Sequence, residues 1–233
     1  MKVDVLVFGA HPDDVELGCG GTVIKLVEQG KKVGIIDLTK GELGTRGTTQ
    51  SRRVECENAT KILGVAVREN MNFEDGFFKD DEAHKLALIK KIREYCPEIV
   101  IANASTDRHP DHGRASQIVV DACFLSGLEK VNAKQKVWRP KAIYHYIQFN
   151  HLQPDFVIDI SRQMEKKIEA VKAYKTQFYN SDSKETETII SKKGFLESVK
   201  YRAQDLGRQA NCEFAEGFIA HQMLKVDSFF DIK

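Results

Sequence analysis

The chain reads as an α/β protein built on a doubly wound, mostly parallel, Rossmann-like sheet flanked by helices. Through the N-terminal half, apolar runs of strand length alternate with amphipathic runs of helix length, the pattern of successive β-α-β crossovers. The cassettes His11-Pro12-Asp13-Asp14 and His109-Pro110-Asp111-His112 each follow an apolar run that reads as a buried strand. Ligands of open parallel sheets bind there, beyond the carboxyl ends of the strands.

Residues 3–9 predict the first strand. Gly18, Gly20 and Gly21 predict a glycine-rich turn before a helix over residues 22–29, closed by Gly30. Residues 33–38 form the second strand, and residues 40–49, with Gly41, Gly44 and Gly47, a loop. A helix over residues 51–63 ends at Gly64 and leads to a third strand, residues 65–71. A helix over residues 81–95, a fourth strand over 97–102 and a helix over 114–124 complete the regular part. In the commonest doubly wound order the first and fourth strands are neighbours where chain order reverses, which brings the two cassettes into one crevice.

The second half is less regular. Residues 141–147 and 156–160 predict strands, residues 163–176 and 195–207 helices, and residues 179–193 a mobile loop rich in Ser, Thr, Lys and Glu. With no repeat or linker, one domain over residues 1–233 is the simplest organisation.

Lys and Arg number 35 against 34 Asp and Glu, a net charge of +1, so the molecule has no overall field to attract nucleic acid or an acidic membrane. A small-molecule partner is expected. The N-terminus lacks the order of a signal peptide, and no apolar stretch approaches the roughly 18 residues needed to cross a bilayer. The five cysteines, Cys19, Cys56, Cys96, Cys123 and Cys212, are odd in number and scattered without a Cys-x-x-Cys pair. They read as reduced thiols of a cytoplasmic protein.

Imidazole nitrogen and carboxylate oxygen suit zinc, and a catalytic zinc keeps three protein ligands and one open position. His11 and Asp14 share one turn, and His112 approaches from the neighbouring strand, so these three make a candidate set for one Zn²⁺ per subunit. Fe²⁺ and Co²⁺ suit the same donors. Asp13, beside a ligand, is the candidate general base. His109 is placed to stabilise an oxyanion or protonate a leaving amine, and Asp111 to orient His109. Either cassette alone also fits a helix cap, because Asp is a favoured N-cap residue. Two of them at the two strand ends that flank one crevice favour metal-assisted hydrolysis of an amide or ester. The remaining histidines, His84, His145, His151 and His221, are assigned to the surface or to packing, with a place in the cleft lining as the alternative for His145 or His151.

Residues 9–16, Gly-Ala-His-Pro-Asp-Asp-Val-Glu, with Arg108-His109-Pro110-Asp111-His112 downstream, resemble the LmbE/PIG-L-like zinc deacetylases. The likeness extends over residues 38–47, Arg52 with Glu55, and Ala215-Glu216-Gly217-Phe218. It is strongest to the branch that deacetylates N-acetylglucosaminyl malate in bacillithiol biosynthesis. The resemblance implies removal of acetate from a 2-acetamido sugar, the roles already given for the cassettes, and a homo-oligomer. It also makes Arg52 a substrate contact, with a helix-surface pair to Glu55 or Glu57 as the alternative. Arg139 is a second candidate contact for an anionic group. Another N-acetylglucosamine conjugate, such as a chito-oligosaccharide, is the alternative substrate. A sugar- or nucleotide-binding module is disfavoured, because His11-Pro12-Asp13-Asp14 fills the place of a phosphate-binding glycine loop. One departure stands out: Phe195 follows Gly194 where the resemblance would place a tyrosine near the oxyanion.

Overall fold

The computed structural model describes residues 1–231. The chain runs β1 (Val5–Gly9), α1 (Asp14–Glu28), β2 (Val33–Thr39), α2 (Thr49–Leu63), β3 (Val67–Phe73), α3 (Glu82–Tyr95), β4 (Ile99–Ala102) and α4 (Pro110–Ser126). It continues through β5 (Ala142–Tyr146), β6 (Phe156–Asp159), α5 (Met164–Lys172), α6 (Phe195–Gln209) and β7 (Ala215–Ala220). The strands form one sheet in the order β3-β2-β1-β4-β5-β7-β6. The first five are parallel, and β7 runs antiparallel between β5 and β6. The doubly wound α/β expectation is met, including the pairing of β1 with β4 through Val5–Ile99, Leu6–Val100 and Val7–Ile101.

The pleat sends alternate residues of β1 to opposite faces. Leu6 and Phe8 pack with Leu88 and Ile92 of α3 and Ile118 and Val119 of α4. Val5 and Val7 pack on the other face with Val15, Val23 and Ile24 of α1, Leu63 of α2 and Ala170 of α5. Beyond that layer, Leu17, Ala59, Met164, Ile168, Val199 and Ala203 join α1, α2, α5 and α6. Burial on both faces is why the central strands read as continuous apolar runs.

Two expectations are corrected and one strand is added. The glycines at 18, 20 and 21 do not form a turn before α1 but lie inside it. A Cβ on Gly18 would strike the Tyr146 ring, and one on Gly21 would meet the Ile160 side chain, so both are close-approach positions. The helix is broken internally at Cys19, whose φ of −144° is not helical. The N–H groups of Gly21 and Thr22, released by that break, donate to Glu216 at 2.9 and 2.6 Å. Lys167 neutralises this buried carboxylate at 2.5 Å. Strand β7 is the addition. Its Ala-Glu-Gly-Phe start lacks the β-branched run of a strand, because Glu216 is there to hold α1. Secondly, α4 begins at Pro110, where the fixed φ of proline suits the first helical position.

Candidate active site

Two βα junctions build the site, and the carboxylate of Asp14 is its centre. Nδ1 of His11 lies 3.5 Å from Asp14 Oδ2, and Nε2 of His112 lies 3.2 Å from Asp14 Oδ1. The other nitrogen of each ring rests on a further carboxylate. His11 Nε2 is 2.9 Å from Asp75 Oδ1 and 3.3 Å from Asp111 Oδ2, while His112 Nδ1 is 2.9 Å from Asp107 Oδ2. Asp14 is fixed in turn by N–H donors from His11, Asn103 and Gln148 at 2.9, 3.1 and 2.7 Å. An imidazole with one nitrogen at a shared point and the other on a carboxylate is the arrangement that orients histidine metal ligands. The donor set of two imidazoles and one carboxylate fits a divalent cation that keeps a position open. His109 stands beside the same point, since His11, His109 and His112 offer nitrogens within 4.8 Å of one another.

The charges follow the geometry. Burial alone would raise the Asp14 pKa, but His112 and His11 hold it well below the usual carboxylate range. Burial opposes protonation of His112, yet Asp14 and Asp107 hold it up at about 9. Asp75 is held down at about 2 against its burial, chiefly by the bond from His11. His109 shifts the other way: burial, then the nearby His11 and His112, lower its pKa. Its Nδ1 accepts the Asp111 backbone N–H at 3.3 Å, so the neutral ring carries its proton on Nε2.

Asp13 lies in the same turn as His11 and Asp14 and pairs with Arg52. It caps α1 with φ 114° and ψ −22°, a left-handed conformation that costs a non-glycine residue about 1–3 kcal/mol. Arg52 holds this turn: its Nε and Nη2 donate to the Pro12 carbonyl at 3.2 and 2.8 Å, and Nη2 also reaches Asp13 Oδ2 at 2.8 Å. Burial pushes the Asp13 carboxyl up to about 7, with Arg52 opposing. The result is a buried carboxyl group in the cleft lining, held by Arg52 through one oxygen.

The surrounding cleft has a volume of about 710 Å³ and opens beside His11, Asp13, Asp14, His109 and His112. Residues 6–123 match the family described as PIG-L, GlcNAc-PI de-N-acetylase. The diacetylchitobiose deacetylase of Thermococcus kodakarensis is 31% identical over 186 residues, 75% of this chain and 70% of that one. This chain belongs to the PIG-L/LmbE family of deacetylases. A probable N-acetyl-α-D-glucosaminyl L-malate deacetylase 2 of Bacillus subtilis is 27% identical over 76% of this chain and 84% of its own. The crystal structure of a conserved protein from Thermus thermophilus superposes with a TM-score of 0.87 at 35% identity, covering 97% of this chain and 98% of that one.

In this deacetylase the two cassettes converge, and two assignments change. The Asp111 carboxylate does not orient His109. It faces His11, the Gly76 N–H at 2.8 Å and Arg114 at 2.5 Å, and only its backbone reaches His109. Arg52 lines the cleft as expected of a substrate contact, with Nε and Nη2 engaged by the Pro12–Asp13 turn. It does not pair with Glu55 or Glu57: Glu55 takes the Thr176 N–H and hydroxyl, and Glu57 pairs with Arg53. Arg139 lies away from the cleft lining, with its guanidinium over the Phe124 ring and donating to the Phe124 carbonyl.

Of the two histidines offered as alternatives for the cleft, His151 lines it, whereas His145 is buried on Ser116 and the Asn103 carbonyl. Phe195 also lines it, stacked on Phe178. Asp75, Asp107, Asn103 and Gln148 escaped sequence reasoning. Asp107 stood in the same polar stretch as His109, and its position before His112 was the available signal. Asp75 precedes Gly76 as an ordinary turn residue would, and no spacing ties it to His11.

The five cysteines are unpaired, and among the described residues no helix is long and apolar enough to cross a membrane.

Proposed function

We propose that this deacetylase is a zinc-dependent hydrolase that removes acetate from the 2-acetamido group of N-acetylglucosaminyl malate, the reaction of bacillithiol biosynthesis, in the cytoplasm. The observation that carries the hydrolytic reading is the Asp14-centred donor cluster with Asp13 beside it and outside it. His11, Asp14 and His112 would hold the cation, which supplies Lewis acidity toward water and toward an amide carbonyl. Asp13, oriented by Arg52, takes the proton of the attacking water and returns it to the departing amine. The Nε2–H of His109 faces the negative charge that develops on the carbonyl oxygen. Asp75, Asp107 and Asp111 keep the ligand rings in one tautomer and orientation. The apolar wall of Leu17, Ile147, Ile190 and Val199 lowers the local dielectric and strengthens these interactions.

Arg108 and Arg202 line the cleft and favour an anionic substrate such as the malate conjugate. The second reading, N,N'-diacetylchitobiose, is favoured by the 31% identity to the Thermococcus enzyme. Amine release from the two substrates decides between them. We expect kcat/KM for the malate conjugate to exceed that for the chitobiose at least tenfold, and the reverse order overturns the malate assignment. Chelation should abolish both activities and zinc restore them; turnover that survives chelation overturns the metal-dependent reading. We also propose a homo-oligomer, because Met223, Phe229 and Phe230 stand more than 90% exposed after β7. Sedimentation at a monomer mass would refute it.

A further inference from the structure

Arg46 lines the cleft on the loop between β2 and α2, and its side chain is 5% exposed. Its Nε and Nη2 are both buried and have no hydrogen-bond partner. These two atoms form one edge of the guanidinium, the edge whose parallel N–H groups match the two oxygens of a carboxylate. Arg52 shows the contrast a short distance along the chain, since its own Nε–Nη2 edge is filled by the Pro12 carbonyl and Asp13. A buried, unmatched charged fork is costly unless a ligand completes it.

The carboxylate that pairs loosely with Arg46 is Glu185, on the segment between α5 and α6. One of its oxygens accepts the Gly47 N–H at 2.8 Å, and the other lies 3.7 Å from Arg46 Nε, beyond hydrogen-bond reach. Glu185 is 44% exposed, so it can leave without unburying a charge of its own. It stands beside the fork without filling it.

We propose that Arg46 is a specificity residue: its Nε–Nη2 edge receives a carboxylate carried by the group attached to the amino sugar, and Glu185 is the internal anion that this carboxylate displaces. The proposal deepens the malate reading and rests on it for the location of the sugar. It selects for a charged aglycone over a neutral one, with no new chemistry at the scissile amide.

Kinetics on matched substrates test it: N-acetylglucosaminyl malate, its dimethyl ester and N,N'-diacetylchitobiose. Arg46→Ala should raise KM for the malate conjugate about 30-fold or more, as expected when one partner of a buried charge pair is removed. Its kcat should move much less, and the two uncharged substrates should lose at least tenfold less in kcat/KM. Glu185→Gln, conservative and partly exposed, guards against a folding defect in the first variant. Removing the competing charge should lower KM for the malate conjugate about twofold to fivefold. A latch that merely held Arg46 in place would raise it.

Equal losses on charged and uncharged substrates in Arg46→Ala, or a raised KM in Glu185→Gln, overturn the proposal. Stronger inhibition of the wild-type enzyme by inorganic phosphate than by L-malate overturns the carboxylate assignment. If the wild type prefers the chitobiose while Arg46→Ala still loses the charged substrate selectively, the malate reading falls and the Arg46 assignment stands.

Discussion

The two cassettes share the triplet His-Pro-Asp and stand at neighbouring strand ends, yet the chain enters its helix differently in each. At the second, His109 is the N-cap with an ordinary φ of −82°, Pro110 is the first helical residue, and Asp111 falls inside the first turn, fully buried behind His11. At the first, the helix starts later: Asp13 is itself the cap at φ 114°, and the proline lies outside. The same aspartate of the triplet therefore contacts His11 in one cassette and, in the other, lines the cleft against Arg52, the place of the proposed reactive carboxyl. Where the helix begins sets the position of each carboxylate.

The difference can be broken by substitution, and the largest effect is expected at the reactive carboxyl. Asp13→Asn should lower kcat by about 10²–10⁴ while the purified protein keeps its metal by elemental analysis. Asp111→Asn should instead weaken metal affinity about 10–100-fold, with turnover restored at saturating zinc. Equal metal loss in the two variants would show that the cassettes are not specialised in this way.

Arg52→Ala comes next. It leaves the Asp13 carboxylate without its buried partner and releases a strained turn, so a loss of about 3–5 kcal/mol is expected in chemical denaturation. Lysine cannot make the fork to the Pro12 carbonyl and should recover only part of it. Full recovery with lysine would mean that charge alone, and not the bidentate geometry, holds the turn.

The helices behind the cassettes differ as well: α1 is interrupted at Cys19, and α4 carries no such break. Glu216→Ala removes the acceptor of two backbone N–H groups and strands Lys167, so it should destabilise by about 3 kcal/mol or more. It should also speed amide exchange at Gly21 and Thr22 while leaving α4 protected. Uniform exchange across both helices would refute the capping role.

The smallest effect separates two glycines. Gly18→Ala meets the Tyr146 ring and should cost about 1–3 kcal/mol through overpacking. At Gly113 in α4 an added Cβ would lie 3.1 Å from the Ser105 carbonyl oxygen, a tighter fit than usual but not a collision. There the gain in helix propensity offsets part of the cost, and the net change should stay within about 1 kcal/mol. A thermal melt of each variant orders them.

Much of this was legible from residue order. The parallel strands announce themselves as apolar runs because both faces are covered, and the topological rule then brings His11 and His112 together although they are far apart in sequence. Strand β7 was not legible, because its residues answer to a distant need: Glu216 caps the broken α1, and Gly217 fits under Leu206 and Pro154. The glycines of α1 were misread for the same reason, since a glycine needed for close approach looks like one needed for a turn. Asp75 carried no sign of its contact with His11, because a partner brought in from another strand leaves no spacing in the chain.

What the sequence alone determined is the alternation of strand and helix, the pairing of β1 with β4, and the gathering of histidines and aspartates at that junction, since local propensity and crossover topology fix all three. Only the tertiary structure decided which aspartate sits between the two imidazoles, which is buried behind His11 and which is held by Arg52. That choice depends on where each helix starts and on the Arg52 fork reaching back to Pro12, and both are settled by packing between segments that meet only in the folded molecule.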